Sequence, residues 1–455
     1  MSKLLTVILA AGKGTRMKSR LPKVLHKIGG KPMVEQVLCA ANAAGSERNV
    51  VIVGFGADMV MEHLAGRAEF AMQEEQLGTG HAVMQARDIL AEHSGTVLVV
   101  CGDTPLLSAR LLKGLCAEHE AQGAKATVLT AKMADPTGYG RVIRDEEGAV
   151  VKIVEQKDAS EEEKLVNEVN TAIYCFDAKA LLGTLDSLTC DNAQGEYYLT
   201  DVIGLLREQG QRVWAVVADD PSEVQGINSR VQLAQAQQVL KERKNRQLME
   251  AGVTIIDPAS TFVDTDVEIG TDTVLFPYTW LSGNTKIGEN SVIGPNVMIE
   301  DSIIGSDVQM KFTYAHECIV KDGVTIGPYV HLRPNTVIEN SVKIGNFIEV
   351  KNSTVGEGSK LPHLSYIGDT DMGARVNIGC GTIMVNYDGQ NKHRTTIEDD
   401  AFIGCNSNLV APVTIGRGAF IAAGSTITKN VPEDALGVAR AVQKNIDGWA
   451  EKKKK

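Results

Sequence analysis

Hydrophobic residues recur at every sixth position through much of the C-terminal half of the chain. The clearest run consists of six aliphatic residues: Ile397, Ile403, Leu409, Ile415, Ile421 and Ile427. Residues 263–299 and 326–350 show the same period. A helix would repeat apolar residues every three or four positions, and a half-buried strand every two. A six-residue period instead indicates one side of a triangular coil, and it predicts a parallel β-helix of roughly ten coils over residues 253–437.

The period also predicts which side chains point inward and where the coil is interrupted. Small or β-branched residues four positions after the aliphatic ones are expected near the corners: Ser407, Val413, Ala419 and Ser425. Five-residue steps over 299–304 and 367–372 indicate tightened corners. The period is lost over 311–322, which we expect to be irregular or a loop. It is lost again over 384–396, which we expect to leave the coil as a loop.

The N-terminal half has a different pattern. Apolar segments that indicate strands are 5–9, 50–53, 97–100 and 213–217. Amphipathic segments that indicate helices lie between them, at 33–44, 81–91 and 108–121. This alternation predicts a parallel sheet covered by helices on both faces, with ligands bound at the carboxyl ends of the strands.

Residues 229–251 contain no proline or glycine and favour a helix. Their apolar residues are sparse after Leu240, so we predict an exposed helical arm between the two halves. A helix packed on the surface is the alternative interpretation.

Composition excludes several classes of protein. A formal net charge of −11 argues against a general nucleic-acid binder. No apolar run is long enough to cross a membrane, and the N-terminus lacks a signal-peptide cleavage pattern, so a cytoplasmic protein is expected. The eight cysteines show no spacing typical of zinc sites or disulfide frameworks. The terminal lysines, 452–455, are expected to form a solvated, disordered tail.

The end of the first predicted strand carries the first candidate chemistry. In LAAGKGTRM, residues 9–17, Gly12 and Gly14 would let backbone amides approach phosphate oxygens, and Arg16 adds positive charge. The segment has neither the third glycine of a dinucleotide fingerprint nor a correctly spaced GK[ST], and an ordinary strand-to-helix turn is the alternative. The LPK segment that follows brings Lys23 within reach of the same place, which favours an anion site.

These segments carry a family resemblance. LAAGKGTRM followed by LPK resembles the signature of sugar-phosphate nucleotidyltransferases. Further matching motifs are QLGTGHA (76–82), CGDTPL (101–106), DPTGYGR (135–141), IVEQKDA (153–159), EVNT (168–171), NAQGEYYLTD (192–201) and EVQGINSR (223–230). With the hexapeptide half, nearly all of the chain resembles the bifunctional N-acetylglucosamine-1-phosphate uridylyltransferase/glucosamine-1-phosphate acetyltransferase family.

The resemblance implies the fold class and the domain bounds. It implies an α/β Rossmann-like nucleotidyltransferase domain followed by a left-handed parallel β-helix of hexapeptide repeats. We place the nucleotidyltransferase domain at 1–228, the helical arm at 229–252, the β-helix at 253–437 and a C-terminal tail at 438–455.

The first implied reaction is attack by N-acetylglucosamine 1-phosphate on the α-phosphorus of UTP, with release of pyrophosphate. Asp103 and Asn228 would bind one or two Mg²⁺ ions through hard oxygen ligands, although Asp103 alone also fits a turn. Arg16 and Lys23 would face phosphates and act in catalysis. The implied nucleotide-binding residues are Leu9, Ala10, Ala11, Gly12, Lys23, Gln73, Gly78, Thr79, Cys101, Gly102, Asp103 and Asn228. The implied residues for the sugar phosphate are Gly140, Glu155 and Asn170.

The second implied reaction is acetyl transfer from acetyl-CoA to glucosamine 1-phosphate. His363 lies two positions after Leu361, off the inward register, so its ring should face outward. The resemblance makes His363 the general base, and Glu349 on the preceding coil is expected to orient its ring. The implied sugar-phosphate residues are Arg333, Lys351, Tyr366 and Asn377, with Lys392 on the same face. The implied acetyl-CoA residues are Cys380, Asn386, Tyr387, Cys405, Ala423 and Arg440.

Some positions depart from the family pattern, and other functions stay open. The departures are Cys101, Ala172, Leu361, Pro362, Cys380 and Cys405. By resemblance to other hexapeptide transferases a homotrimer is expected, with UTP, acetyl-CoA and amino-sugar 1-phosphates as small-molecule substrates and no stable membrane insertion. The alternatives are a monofunctional sugar-phosphate nucleotidyltransferase whose β-helix serves only assembly, and a scaffold with neither activity.

Overall fold

The computed structural model describes residues 3–453, which form two compact units, one ending at Leu240 and one beginning at Lys241. Lys454 and Lys455, the end of the predicted disordered tail, lie outside the described residues. Glu451–Lys453, immediately before them, form an exposed 3₁₀ turn. No helix within residues 3–453 is both long and apolar enough to cross a membrane.

The N-terminal unit alternates strands and helices, as predicted. Its strands are β1 (Leu4–Leu9), β2 (Lys27–Ile28), β3 (Lys31–Pro32), β4 (Arg48–Val53), β5 (Glu69–Met72), β6 (Thr96–Cys101), β7 (Ala126–Lys132), β8 (Arg141–Arg144), β9 (Val150–Val154), β10 (Glu168–Asp177) and β11 (Val213–Val217). Its helices are α1 (Met33–Ala44), α2 (Ala57–His63), α3 (Thr79–Met84), α4 (Arg87–Ala91), α5 (Ala109–Ala121), α6 (Ala178–Leu185) and α7 (Asp201–Glu208), followed by α8 (Arg230–Glu250). The single helix predicted over 81–91 is therefore two short helices.

The main sheet has the order β11-β7-β10-β6-β1-β4-β5. Strand β1 pairs in parallel with β4 and β6, whereas β10 runs antiparallel to both β6 and β7. The prediction of a parallel sheet is thus wrong for β10. The chain passes from β7 to β10 through the β8–β9 hairpin and not through a crossover helix, so the direction reverses.

Apolar side chains fill both faces of this sheet. Leu5 and Val7 of β1 pack with α3, α4, α6 and α7. Leu4 and Ile8, on the opposite face of the same strand, pack with α1, α2 and α5. Helices therefore cover both faces of the sheet, as predicted. This arrangement leaves the carboxyl ends of the strands free for ligands.

The second unit is a parallel β-helix with three faces, which we call A, B and C. Face A contains Thr254–Ile255, Val274–Leu275, Val292–Ile293, Gln309–Met310, Thr325–Ile326, the first parts of Lys343–Lys351 and Lys360–Gly368, and then Asn377–Ile378, Phe402–Ile403, Phe420–Ile421 and Leu436–Gly437. Face B contains Phe262–Val263, Thr279–Ser282, Val297–Glu300, Thr313–His316, Val330–Leu332, the second parts of the same two long strands, and then Ile383–Val385, Asn408–Val410 and Thr426–Ile427. Face C contains Glu268–Ile269, Lys286–Ile287, Ile303–Ile304, Cys318–Val320, Thr336–Ile338, Thr354–Val355, Thr370–Met372, Thr395–Ile397 and Val413–Ile415.

The six-residue period forms the core of this prism. The aliphatic residues of the run from Ile397 to Ile427 are all buried, as are Ser407, Val413, Ala419 and Ser425 near the corners. Both five-residue steps keep their end residues inside, since Ile304 and Met372 are buried. The predicted orientation of the coil is confirmed.

Both predicted interruptions need correction. Residues 311–322 are not irregular, because Thr313–His316 and Cys318–Val320 continue faces B and C. The inward positions there include Ala315 and Cys318, whose small side chains weaken the hydrophobic signal. In this region the coil is also shorter: Met310 pairs with Ile326, sixteen residues on, whereas Leu275 pairs with Ile293, eighteen residues on.

The second interruption is shorter than predicted. Met384 lies buried in the strand Ile383–Val385, and Thr395 lies buried in Thr395–Ile397. The loop that leaves the coil is therefore 386–394.

Helix α8 is not the exposed arm that the sequence suggested. Ala236, in its first half, packs with Ile28, Met33 and Leu106. In its second half, Asn245 is buried and donates to the carbonyls of Pro258 and Thr261 at 3.2 and 3.1 Å. The alternative of a packed helix is correct, because buried polar side chains here replace the apolar signal.

Candidate active sites

The residues predicted to bind the nucleotide lie at the carboxyl ends of β1 and β6. A cavity of about 240 Å³ opens there. Ten of the predicted nucleotide-binding residues line it: Leu9, Ala10, Ala11, Gly12, Lys23, Gln73, Gly78, Thr79, Cys101 and Asp103. It is also lined by Val24, Gln76, Ala82 and Glu196, which were not predicted. Gly102 does not line the cavity but supports it, since its amide donates to the Leu9 carbonyl at 2.9 Å.

Close backbone approaches shape this cavity. Gly14 has a φ of 58°, and a Cβ there would lie 2.5 Å from Cβ of Lys23. Only glycine therefore lets Lys23 sit against the loop. Gly78 has a φ of 109°, and its carbonyl accepts a 3.1 Å hydrogen bond from the buried Gln73 side chain. That contact holds the Gln73 amide at the wall of the cavity.

Asp103 and Asn228 bring two oxygens to one point. The Lys23 ammonium pairs with Asp103 and also donates to Oδ1 of Asn228 at 2.9 Å. The backbone amide of Ile227 donates to the Asp103 carbonyl at 2.9 Å, which ties the two segments together. A cation thus already sits between the carboxylate and the amide oxygen. The pair fits Mg²⁺, which takes few protein ligands and completes its shell with water and phosphate oxygens.

A second cavity, of about 320 Å³, adjoins the first. Its lining includes Arg16, Gly140, Glu155, Asn170 and Asn228 among the predicted residues, and it shares Cys101 and Asp103 with the first cavity. Thr137, Tyr139, Gly226 and Gln232 also line it and were not predicted. Because the two cavities meet at Asp103, ligands in both would have their reacting groups next to the same carboxylate.

Glu155 is the buried acid of the second cavity. Burial raises the pKa of its carboxyl, and the carboxylate of Asp158 acts in the same direction. A Cβ at Gly140 would lie 3.3 Å from Oε1 of Glu155, and the backbone N–H of Asn170 donates to the Gly140 carbonyl at 2.9 Å. The three predicted sugar residues are therefore assembled around one wall.

The departures Cys101 and Ala172 lie together beside this wall. Ala172 has a φ of 59° at a register shift in β10, which explains why glycine suits that position. The Cys101 thiol lies 3.7 Å from the Ala172 carbonyl. Burial, followed by the Asp103 carboxylate, raises the pKa of the Cys101 thiol to about 12. This thiol therefore stays protonated and acts as a neutral part of the wall.

In the β-helix, His363 faces outward as predicted, but its partner differs from the predicted one. Its Nδ1 lies 2.8 Å from Oδ1 of Asn346. Glu349 instead accepts a 2.8 Å bond from Arg333. The prediction that Glu349 orients His363 is wrong because the coil register pairs Asn346 with His363 and Glu349 with Tyr366.

Positive side chains gather on face B beside this histidine. Arg333 and Lys351 extend from neighbouring strands, and Lys392 reaches the same place from the 386–394 loop. The Lys392 ammonium lowers the pKa of Lys351, with partial burial and Arg333 acting in the same direction. Cations crowded in this way favour a bound anion such as a phosphate.

The 386–394 loop is anchored by carboxylates. The buried Asn386 side chain donates to Asp369 and, at 3.3 Å, to the hydroxyl of Tyr366. Asp388 accepts from the backbone amides of Gln390 and Asn391, which together with His393 hold its pKa far below the usual range. Tyr387 is exposed near the base of the loop, where its backbone pairs with Lys392. Asp369 was not predicted as a site residue. The only feature of the sequence that could have indicated it is the Gly-Asp pair at a corner of the coil.

Three of the predicted acetyl-CoA residues, Cys380, Cys405 and Ala423, form a column with His363 on the corner between faces A and B. His363, Cys380, Cys405 and Ala423 each lie two positions after an inward residue on successive coils. Backbone bonds join the levels, with Asn406 donating to the Cys380 carbonyl at 2.7 Å and Gly424 to the Cys405 carbonyl at 2.8 Å. Arg440 is exposed next to Gly424.

Asn377 is placed apart from the other predicted sugar-phosphate residues. It lies on face A, in register with Lys360. Arg333, Lys351 and Tyr366 lie on face B, on the other side of the corner that carries His363.

Comparison with known proteins covers both units. A family model described as Nucleotidyl transferase matches residues 5–224, and one described as Bacterial transferase hexapeptide (six repeats) matches residues 394–429. The hexapeptide match is consistent with left-handed winding of the β-helix.

Full-length relatives carry one name. The chain is 54% identical over 453 residues to the "Bifunctional protein GlmU" of Halalkalibacterium halodurans, which covers 100% of both chains. It is 53% identical to proteins of the same name from a Geobacillus species, covering 99% of this chain and 98% of the relative, and from Listeria welshimeri, covering 99% of each.

Proposed function

The chain belongs to the family of bifunctional GlmU proteins, enzymes with a uridylyltransferase and an acetyltransferase activity in UDP-N-acetylglucosamine biosynthesis, and from that membership we propose how its two sites work. Acetyl-CoA first acetylates glucosamine 1-phosphate in the β-helix. The product then reacts with UTP in the N-terminal unit, which releases pyrophosphate.

For uridylyl transfer, the loop after β1 holds the nucleotide and the wall of Gly140, Glu155 and Asn170 holds the sugar. The two cavities share Asp103, which supports in-line attack of one phosphate on the other. Lys23 and Arg16 neutralise the charge that two meeting anions bring together. Asp103 and Asn228 would hold Mg²⁺, which when bound adds further charge neutralisation.

For acetyl transfer, Arg333, Lys351 and Lys392 hold the sugar phosphate next to His363. The amino nitrogen attacks the thioester carbonyl while His363 takes one of its protons, and the CoA thiolate leaves. Coenzyme A lies along the column of Cys380, Cys405 and Ala423, and Arg440 faces its phosphates. Asn386 and Tyr387 border the site from the loop.

One observation carries the acetyl-transfer half of the proposal: an outward histidine with a hydrogen-bonded ring next to a cluster of cations. A β-helix used only for assembly would need neither. The test is an assay with glucosamine 1-phosphate, acetyl-CoA, UTP and Mg²⁺ in which CoA and pyrophosphate are both followed. His363→Ala should abolish CoA release and leave pyrophosphate release from supplied N-acetylglucosamine 1-phosphate unchanged.

Asp103→Asn should give the opposite result, with a loss of at least about a hundredfold in uridylyl transfer. If the parent protein released no CoA, the monofunctional alternative would replace this proposal. Full uridylyl transfer by Asp103→Asn would reject the magnesium assignment.

We further propose a homotrimer built through a stripe of exposed apolar residues along face B and the corner between faces A and B. The stripe is Tyr278, Trp280, Met298, Tyr314, Tyr329, Phe347, Leu364 and Ile383. Monomeric proteins rarely leave so long an apolar surface in water. A cytoplasmic location follows from the substrates, UTP and acetyl-CoA. We also keep the domain bounds proposed from the sequence, with 229–252 as a packed helix instead of an exposed arm.

A further inference from the structure

We propose that Asn346 is a positioning residue for acetyl transfer: its amide oxygen accepts a hydrogen bond from Nδ1 of His363 and leaves Nε2 as the base. The inference rests on the proposed acetyl-transfer function. The neutral amide of Asn346 takes the place of the Glu349 carboxylate, which the sequence analysis expected to orient the ring.

The geometry comes from two facing coils. The strands Lys343–Lys351 and Lys360–Gly368 place Asn346 directly opposite His363, and the two side chains meet at 2.8 Å. Next to them, a Cβ at Gly345 would lie 1.9 Å from the Pro362 carbonyl oxygen. Glycine thus permits the close approach that brings the amide to the ring. Pro362 stiffens the segment that carries the histidine.

The chemistry follows from the donor and acceptor inventory. An amide oxygen can only accept, so the proton of the neutral imidazole resides on Nδ1 and the lone pair on Nε2. A carboxylate partner would favour the imidazolium form of the ring. The neutral amide of Asn346 holds the ring without that effect. The base is therefore oriented and kept available for protonation by the substrate.

Charged groups flank the pair on both sides. Lys343 and Lys360 lie on face A. On face B, the Glu349 carboxylate is paired with Arg333, and Lys351 and Lys392 form the cation cluster. The thiol of Cys380 belongs to the next coil. The Glu349 carboxylate is thus engaged by Arg333, and Asn346 is the residue that bonds to the His363 ring.

The test compares Asn346→Ala and Asn346→Asp in the full chain. Asn346→Ala should lower kcat for acetyl transfer about ten- to a hundredfold, with little change in KM for either substrate. Asn346→Asp keeps an acceptor of the same shape and should recover most of kcat. Its negative charge should also move the acidic midpoint of the pH–kcat profile up by about one pH unit.

Asn284→Ala, which removes an exposed amide in the first coils, is the matched control and should behave like the parent. Thermal unfolding of each variant separates a folding defect from a catalytic one, and the isosteric Asp variant remains informative if the Ala variant unfolds. Unchanged kcat in Asn346→Ala would overturn the inference, as would an Asp variant with neither recovery nor a shifted midpoint. Absence of acetyl transfer in the parent would instead reject the proposed function.

Discussion

At the scale of single residues, the departures from the family pattern differ in consequence. Cys101 is a half-buried, neutral thiol in the wall of the uridylyl site. Cys405 is exposed and Cys380 is half-buried on the column proposed for coenzyme A. Cys101 and Cys405 should therefore respond differently to the same thiol reagent, because thiolate character and access both control reactivity.

We predict that N-ethylmaleimide lowers acetyl transfer about tenfold or more by placing a bulky group on Cys405 in the path of coenzyme A. Uridylyl transfer should persist, since the raised pKa of the Cys101 thiol keeps it protonated and therefore a poor nucleophile. Cys405→Ala should protect acetyl transfer, whereas Cys190→Ala, which removes another exposed thiol, should not. Full acetyl transfer after exhaustive alkylation, with Cys405 labelled by mass spectrometry, would contradict the docking proposal.

Glu155 links function to stability through its raised pKa. The folded state binds its proton more tightly than the unfolded state, so this group makes stability fall as pH rises from about 4.5 through the folded pKa. Glu155→Gln should remove that fall and raise the melting temperature of the N-terminal unit at neutral pH.

The same substitution should raise KM for the sugar phosphate about tenfold, through loss of a hydrogen bond to a charged group. Melting curves at several pH values and uridylyl-transfer kinetics measure both effects. An identical pH dependence in parent and variant would show that Glu155 is not the group responsible.

At the scale of elements, each site depends on glycines that let two segments approach. Gly14 lets the loop after β1 meet Lys23, and Gly345 lets two coils meet at the His363 corner. In neither case does the glycine touch the substrate in the proposed mechanism. These glycines shape the site by allowing close packing, and they take no part in the chemical steps.

Gly14→Ala should therefore separate the two activities. The left-handed φ and the clash with Lys23 should displace that lysine, at a cost of about 1–3 kcal/mol, and lower uridylyl transfer at least about tenfold. Acetyl transfer should be unchanged. Gly183→Ala in α6, where an added Cβ meets nothing within 4 Å, is the matched control and should keep both activities. Equal uridylyl rates in the two variants would refute the argument.

At the scale of the whole molecule, the β-helix presents unlike faces to water. Tyr329 and Phe347 stack with ring centroids 5.2 Å apart and are 56% and 54% exposed. Leu364 beside them is 59% exposed. These residues lie next to the proposed acetyl site, so assembly through this stripe would also enclose the substrates.

Tyr329→Asp should dissociate the trimer, because a carboxylate buried in an apolar interface is costly. Asp tolerates the φ of 58° at this corner, so the coil itself should survive. Ile303→Asp is the matched control: Ile303 is 52% exposed but lies on face C. Light scattering of both variants should show monomers for the first and trimers for the second. The reverse result would move the interface to face C.

Sequence reasoning reached further for the β-helix than for the mixed sheet. A coil repeats one contact pattern, so the period alone predicted that Ile397 and Ser407 point inward and that His363 points outward. It failed at 311–322 because Ala315 and Cys318 fill the core with little hydrophobic signal. It failed for β10 because strand direction depends on how the β8–β9 hairpin turns the chain.

By itself the sequence determined the two architectures, the anion-binding loop around Gly12 and Lys23, and the outward position of His363. These features follow from the local hydrophobic period and from residue chemistry. Only the tertiary structure decided what those residues contact. It joined two cavities at Asp103, gave His363 the partner Asn346 in place of Glu349, and packed α8 through Asn245. Contacts across coils and between distant strands depend on exact register, and a shift of a few residues changes every partner.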